Sequence, residues 1–191
     1  MGVAIITMHI WIDIDKKEDI LLFSLLINEL KETGHTIVVT ASKFINTNDI
    51  NTKKIGYVFS FFGLVLEPLY FIRAVLLADY IKDRKIDIAL SLGSRSMLYT
   101  CIQADVNLPI IHFLADYEKR PHNLYFAFDK CFFIVSENIQ DQKLIEKGYD
   151  PNKIARYKGI IKTDNPDPKV IKEIANQIEF FSNKLPGSVT A

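Results

Sequence analysis

The sequence predicts a three-layer α/β sandwich, a mainly parallel, doubly wound sheet with helices on both faces. Three observations predict it. Short apolar runs, too short to be helices with a core face of their own, recur along the chain. Segments with apolar residues at helical spacing separate them. One stretch, Asp87 to Glu118, holds a complete strand, glycine turn, helix and strand, whose crossover should be right-handed. Strands that alternate with helices mean a parallel sheet covered on both sides, with expected strand order 3-2-1-4-5-6.

The first strand is His9 to Ile14, ending in Asp13-Ile14-Asp15, two carboxylates on one face of an extended chain. A helix follows over Asp19 to Thr33, with Ile20, Phe23, Leu26, Ile27 and Leu30 at helical spacing and Gly34 past its end. Thr36 to Ala41 is the second strand. A polar loop with Asn46, Asn48 and Asn51 leads to a third strand over Lys54 to Phe59. Phe61 to Ala78 is the most apolar part of the chain, but Glu67, Pro68 and Arg73 interrupt it. Its uninterrupted lengths fall short of the ~20 residues a membrane span needs. A helix from about Pro68 to Asp83 fits instead, with proline in its first turn. Phe61, Phe62, Leu64 and Val65 remain as an apolar loop. It either packs under its own helix or forms an exposed patch for a lipid or a partner.

Ile86 to Leu92 is a buried strand, Met97 to Val106 a helix and Pro109 to Leu114 the next buried strand. A short helix over Leu124 to Ala127, a strand over Cys131 to Val135 and a helix from Gln140 to Lys147, closed by Gly148, come next. Lys153 to Gly159 is a short basic strand or extended segment. Lys169 to Lys184 is a last amphipathic helix through Val170, Ile174, Ile178 and Phe181. One domain over 8–161 is therefore expected, then a linker and helix over 162–184 and a disordered tail over 185–191.

Composition narrows the function. The chain has 191 residues and equal numbers of acidic and basic side chains, so its net charge is zero, against a general nucleic-acid binder. Cys101 and Cys131 fall inside predicted elements and read as reduced, buried and inert. The first seven residues are too short and lack the basic flank of a signal peptide, and a cytoplasmic location is expected.

In an open parallel sheet, ligands sit beyond the carboxyl ends of the strands, at the switch point. That rule gathers three loops: Asp13 to Lys16, Leu92 to Ser96 and Asp116 to Lys119. Gly93 lets a backbone or ligand come close, and Ser94 is a good N-cap. The first helical turn, with Arg95 and Ser96, offers amides to a phosphate or carboxylate, or else is only a capped helix start in solvent. Gly-Ser-Arg-Ser is neither a Walker loop nor G-x-G-x-x-G, so no nucleotide follows from it. Asp13, Asp15, Asp116 and Glu118 can serve as general bases or as ordinary loop residues. Their spacing fixes no metal, and neither metal nor cofactor is expected. His9 and His112 read as packing residues, His35 opens the second strand, and only His122 falls near this site.

Five pieces occur in order: His9 to Asp15; Glu29 to His35; Asp87 to Ser96; Asp116-Tyr117-Glu118; and Tyr157-Lys158-Gly159-Ile160. Together they resemble the archaeal and bacterial family of unknown function numbered 354. That family is similar to glycosyltransferases of the GT-B type and to UDP-N-acetylglucosamine 2-epimerases. The resemblance covers Met8 to about Ile161. It implies a Rossmann-like GT-B amino-terminal domain, the acceptor-side half of such an enzyme. Asp13, Asp15, Asp116 and Glu118 would then be catalytic, and Gly93 to Ser96 would bind ligand. Members of that family carry an Asn-Pro-Pro-His-like loop after the first strand. Here it is Lys16-Lys17-Glu18-Asp19, so a histidine base is absent from that loop. GT-B enzymes hold the nucleotide-sugar mainly in a second domain.

The expectation is an acceptor half that is inactive alone. It would need a donor-domain partner or a second copy, and would act on a nucleotide-sugar and a sugar or lipid-linked acceptor. Peripheral membrane contact would suit the apolar Phe61 to Val65 loop. The alternative is a non-catalytic module that binds a small molecule, an anion or a partner.

Overall fold

The structure, a computed structural model, describes residues 7–47, 50–57, 60–61, 64–65, 67–114, 123–159, 161 and 165–182. In chain order these form β1 (His9–Ile14), a 3-10 turn (Lys17–Asp19), α1 (Ile20–Glu32), β2 (Thr36–Ala41), β3 (Lys53–Lys54), β4 (Ser60–Phe61) and β5 (Leu64–Val65). Then follow α2 (Glu67–Ile81), β6 (Ile88–Ser91), α3 (Arg95–Cys101), β7 (Ile110–Leu114), α4 (Asn123–Ala127) and β8 (Cys131–Ser136). The chain continues with α5 (Asp141–Glu146), a second 3-10 turn (Pro151–Lys153), β9 (Ile154–Tyr157) and α6 (Pro168–Ser182).

Seven strands make one sheet in the order β3-β2-β1-β6-β7-β8-β9, and every pair is parallel. Its first six strands, in chain order, run 3-2-1-4-5-6 as the alternation predicts, and β9 adds a seventh at the far edge. The direction of winding switches between β1 and β6, which pair Ile10 with Ile88 and Ile12 with Leu90. The fold is thus a Rossmann-like α/β sandwich.

Strand alternation divides the core in two. Ile10, Ile12 and Ile14 of β1 point to one face, where α1 and α6 cover them with Leu22, Phe23, Leu26, Ile174, Ile178 and Phe181. Trp11 of β1 and Ala89 of β6 point to the other, where they meet Leu77 and Ile81 of α2, Met97, Leu98 and Cys101 of α3, and Leu144 of α5. Both cysteines are buried there. Burial pushes the Cys131 thiol up to about 12 and holds Cys101 well above the ordinary thiol range, so neither is a thiolate nucleophile near neutral pH.

The helix ends follow local chemistry. At the end of α1 the His35 amide donates to the Leu30 carbonyl and the Gly34 amide to the Lys31 carbonyl, both 3.0 Å. Gly34 has φ +92°, which completes a Schellman cap. Two elements differ from expectation. The third strand is only Lys53–Lys54 where Lys54 to Phe59 was expected; the Ile55 amide and the Gly56 carbonyl still bond the chain at the end of β2, Gly56 then takes φ +60°, and Val58 and Phe59 lie outside the described residues. The chain then forms the antiparallel pair β4–β5, where a loop was expected. Likewise α3 ends at Cys101 rather than Val106. Asn107 takes φ 43° and Leu108 donates back to the Cys101 carbonyl, 3.1 Å. Pro109 disfavours a helical residue before it, so the helix must close early. The expected tail, residues 185–191, lies outside the described residues.

α6 returns across the sheet onto β9, and Gly159 makes the close approach. A Cβ there would stand 2.6 Å from Val170 Cγ2 and the residue has φ +107°. Gly159→Ala should therefore lower the unfolding free energy by about 1–3 kcal/mol through overpacking and backbone strain. Gly34→Ala meets nothing within 4 Å. It should cost only the left-handed backbone penalty of ~1 kcal/mol. Urea midpoints for the two variants test that ranking.

Candidate functional site

The candidate site lies at the carboxyl ends of β1 and β6, where the winding switches. Asp13 shares its face of β1 with Trp11, so it projects towards α2 rather than α1. It is 2% exposed. Arg73 of α2, also buried, grips it two-handed, Nη1 to Oδ2 at 2.7 Å and Nη2 to Oδ1 at 2.6 Å. Thr40, registered opposite Asp13 on β2, donates to Oδ1 at 2.6 Å and accepts from Trp11 Nε1 at 2.9 Å. Ser94 donates to Oδ2 at 2.7 Å. The third Arg73 nitrogen, Nε, donates to the Ile55 carbonyl at 2.9 Å. Four donors thus saturate the Asp13 carboxylate, which holds charge in the core only because it is paired and hydrogen-bonded.

Asp15, two residues on, sits at the rim and is half-buried. Burial raises its pKa to about 6, and the charge on Asp13 pushes the same way; Arg73 and Lys16 pull it back. Asp19 is buried in the following turn and rises to about 7, first by burial, then by the nearby charge of Asp15. The loop after β1 therefore carries two carboxyls that titrate near neutrality.

The β6–α3 turn is closed from beneath. Gly93 takes φ +107°. Ser91 Oγ accepts from the amides of Gly93 and Ser94, both at 3.0 Å, and hydrogen-bonds the Tyr125 hydroxyl at 3.0 Å. Tyr125 in turn donates to the Ser94 carbonyl at 3.0 Å. Ser94 is the N-cap, accepting from the Met97 amide at 3.2 Å while donating to Asp13. Arg95 pairs with Glu67 at 2.7 Å, and Tyr99 donates to the other oxygen of Glu67 at 2.6 Å. Ser96 is fully buried and its Oγ has no partner among the described residues. His112 lies under the turn with its ring centroid 4.4 Å from that of Tyr125. Burial drops its pKa to about 3, so the ring is neutral and packs in the core, the role its place in a strand suggests.

Asp13, Asp15, Gly93, Ser94, Arg95 and Ser96 thus come together at one sheet edge, while Asp116, Glu118 and His122 lie outside the described residues. The turn's Gly93 and Ser94 amides, and the Met97 amide beyond it, already have partners within the protein, which narrows what an anion could use there. Sequence reasoning missed Arg73, Thr40, Ser91 and Tyr125. Arg73 left one signal, a single charge inside an apolar helix. Among the described residues no cluster of three His, Cys, Asp or Glu side chains is arranged to hold a metal. No described helix is long and apolar enough to cross a membrane.

A family model described as "Protein of unknown function (DUF354)" matches residues 8–183. No curated protein matches the sequence. Among solved structures, a glycosyltransferase from Rickettsia africae ESF-5 is similar with TM-score 0.57 and 16% identity, over 96% of this chain and 51% of that one. CalG4, the calicheamicin glycosyltransferase, is similar with TM-score 0.50 and 13% identity, over 82% of this chain and 54% of that one. At such identities the likeness is one of fold, a glycosyltransferase-like fold. The chain spans about half the length of either structure.

Two measurements test the site's electrostatics. Arg73→Met leaves Asp13 buried without a cation and should destabilise the fold by ~3–5 kcal/mol, read by denaturant unfolding. The second concerns pH. A carboxyl raised in the folded state costs nothing below the unfolded pKa near 4, and its cost grows until pH passes the folded value. For Asp19, with a folded value of about 7, the cost is full above pH 7. Asp19→Asn should therefore gain stability over wild type at pH 8, by ~4 kcal/mol for a carboxyl raised from 3.8 to about 7, and gain nothing at pH 4. An equal effect at both pH values would show that Asp19 is not raised.

Proposed function

The chain belongs to the DUF354 family, and from that membership and the geometry of the β1 edge we propose that it is the acceptor-side half of a glycosyltransferase-like or sugar-nucleotide enzyme. The observation that carries this reading is the contrast between Asp13 and Asp15. Asp13 is saturated by four donors and positions the edge. Asp15 is at the rim, with a pKa near 6. A carboxylate with that pKa is largely ionised at pH 7 yet more basic than an ordinary one, the combination a general base needs to take a proton from an attacking hydroxyl. In this reading Asp15 replaces the histidine that the Lys16-Lys17-Glu18-Asp19 loop lacks. Asp116 and Glu118, which follow β7 in sequence, complete the acid groups around the acceptor. The turn from Gly93 to Ser96 forms the floor, with Ser96 buried beneath it and Arg95 held at its side by Glu67.

The half-enzyme part of the proposal rests on chemistry. Sugar transfer requires the donor diphosphate stabilised and the acceptor oriented together, and ~1 Å of misplacement can cost ~100-fold. One sheet offers one open edge, and this chain spans about half the length of the similar glycosyltransferases. The donor site then belongs to a partner domain or a second copy of the chain, with a nucleotide-sugar held between them. A purely anion-binding module is less favoured, because Ser91 already occupies two amides of the turn and Ser94 the Met97 amide beyond it.

The test combines binding and turnover. The purified chain should show a thermal shift with simple sugars and none with UDP, and should not turn over UDP-sugars. Native mass spectrometry after co-expression with neighbouring genes should identify the completing subunit. In the completed enzyme, kcat/KM should rise through pH 6, and Asp15→Asn should lower it by about 100-fold or more. Turnover by the 191-residue chain alone, lost in Asp116→Asn, would sink the half-enzyme reading.

A further inference from the structure

α2 runs against the direction of β1. Arg73 meets Asp13 near the strand's carboxyl end, and the helix closes at Ile81, a short connection before β6 begins at Ile88. Tyr70 lies three and four positions before Arg73 and Ala74, so it shares their inward face, while Phe71, Ile72, Val75 and Leu76 form an exposed outer stripe. On β1, Asp15 lies two positions after Asp13. The chain is still extended there, since the Ile14 carbonyl accepts from the Ser42 amide at 3.1 Å, and the two carboxylates share a face. Two strand residues advance ~6.6 Å and three helical residues ~4.5 Å. In this antiparallel arrangement both steps lead out past the sheet edge. Helical side chains also lean towards the helix amino terminus, here towards the rim. Tyr70 therefore faces Asp15 as Arg73 faces Asp13.

The surroundings of the hydroxyl agree. Burial raises the Tyr70 pKa, and the charge on Asp15 is the next largest cause; Glu67 adds to the rise, and Arg95 and Arg73 oppose it. The Arg95 guanidinium stands 5.6 Å from the centroid of the Tyr70 ring, and Glu67 holds it there by an ion pair of 2.7 Å. Tyr70 is half-buried, and its hydroxyl has no hydrogen-bond partner among the described residues. By contrast the Tyr99 hydroxyl of α3 is committed to Glu67 at 2.6 Å. The start of α2 thus presents one uncommitted hydroxyl across from one rim carboxylate.

We propose that Tyr70 is a specificity-determining residue of this site, and that the group it selects together with Asp15 is a vicinal diol of the kind a pyranose carries. This rests on the acceptor reading above. The ionised Asp15 can only accept, so it takes the hydrogen bond, and then the proton, of the attacking hydroxyl. A phenol can donate or accept. Donation to the attacking oxygen itself would draw charge from that oxygen just when it must act as the nucleophile. The productive partner of Tyr70 is therefore the neighbouring hydroxyl. Two contacts from two elements orient the acceptor ring as well as its reacting atom. A site built to hydrogen-bond a hydroxyl also disfavours analogues that lack it.

Deoxygenated sugars test it. The methyl glycosides of glucose, mannose, galactose and N-acetylglucosamine are titrated into the intact chain and followed by amide chemical shifts. For the glycoside bound most tightly, each hydroxyl is then removed in turn. Loss of either of two adjacent hydroxyls should weaken binding about tenfold. In Tyr70→Phe one of these two losses should no longer matter, and in Asp15→Ala the other. Phenylalanine keeps the ring beside Arg95, and the unfolding midpoint checks the fold. If that variant does not fold, Asp15→Ala carries the test, since one of the adjacent positions must still count there. A second measurement needs no sugar. With tyrosine isotopically labelled at Cζ and read by NMR, one phenol should titrate at lower pH in Asp15→Ala than in wild type, and its signal should be the one missing from Tyr70→Phe. If both losses are still felt in Tyr70→Phe, the role of Tyr70 is overturned while the acceptor reading stands. A single costly position, or two that are not adjacent, overturns the diol. A phenol unmoved in Asp15→Ala overturns the juxtaposition itself. No binding of any glycoside overturns the acceptor reading and this inference together.

Discussion

A carboxylate buried on β1 constrains this molecule from its centre. Asp13 lies where the sheet changes winding direction, and an unpaired charge there would cost several kcal/mol. Its donors come from β2, α2 and the β6–α3 turn, so one side chain ties the strands on both sides of β1 to the helix that covers them. The arrangement admits little slack. Sliding α2 by one turn would carry Arg73 ~5.4 Å away. Thr40 is fixed by register, and Ser94 by its own capping bond. Even Gly56 belongs to the constraint, since a Cβ there would come 2.9 Å from Arg73 Cγ.

The same charge reaches outward. Arg73 pairs with Asp13, Asp13 helps to raise Asp15, and Asp15 helps to raise Asp19. Burial is the largest cause at both raised carboxyls, and the neighbouring charges add to it. Carboxyls two and six positions from Asp13 thereby acquire different protonation behaviour from one loop. Groups pushed apart in this way are a reason to look for acid–base chemistry, although structural ion pairs perturb pKa values too. Here the two cases sit side by side. Asp13 is the structural pair, and Asp15 is the group left at the rim.

Much of the framework was legible in the sequence. The buried strands around Asp13 and Gly93 read as apolar runs, Gly34 and Gly148 marked helix ends, and Ser94 was readable as an N-cap. What misled was local chemistry with two outcomes. Lys54 to Phe59 has strand composition, but the ladder is confined to Lys53 and Lys54, and Gly56 two residues on takes a left-handed φ. Met97 to Val106 has helical spacing, but Asn107 and Pro109 need the chain to reverse sooner. The two carboxylates of β1's end looked alike as sequence, because nothing local says that a residue sixty positions later will neutralise one of them. Ser91 and Tyr125 escaped notice for the same reason, since their role is a contact across 34 residues.

Arg73 also explains which way α2 faces. By hydrophobicity alone the larger side chains, Phe71, Ile72, Val75 and Leu76, should turn inward, each gaining ~1.5–3 kcal/mol on full burial. Instead the buried face presents Arg73, Ala74, Leu77, Ala78 and Ile81. The ion pair with Asp13 requires Arg73 inside. The two alanines then bring the helix backbone close enough to α3 for Thr100 Oγ1 to reach the Ala74 carbonyl at 3.1 Å. Turning the helix over would strand one buried charge and force large side chains into that narrow contact, a combined cost that exceeds a partial gain in apolar burial. The outer stripe is therefore not a leftover of weak amphipathicity. Its apolar character is independent of the core that the opposite face builds, and Phe71 extends it onto Tyr99 of α3, the ring centroids 6.2 Å apart.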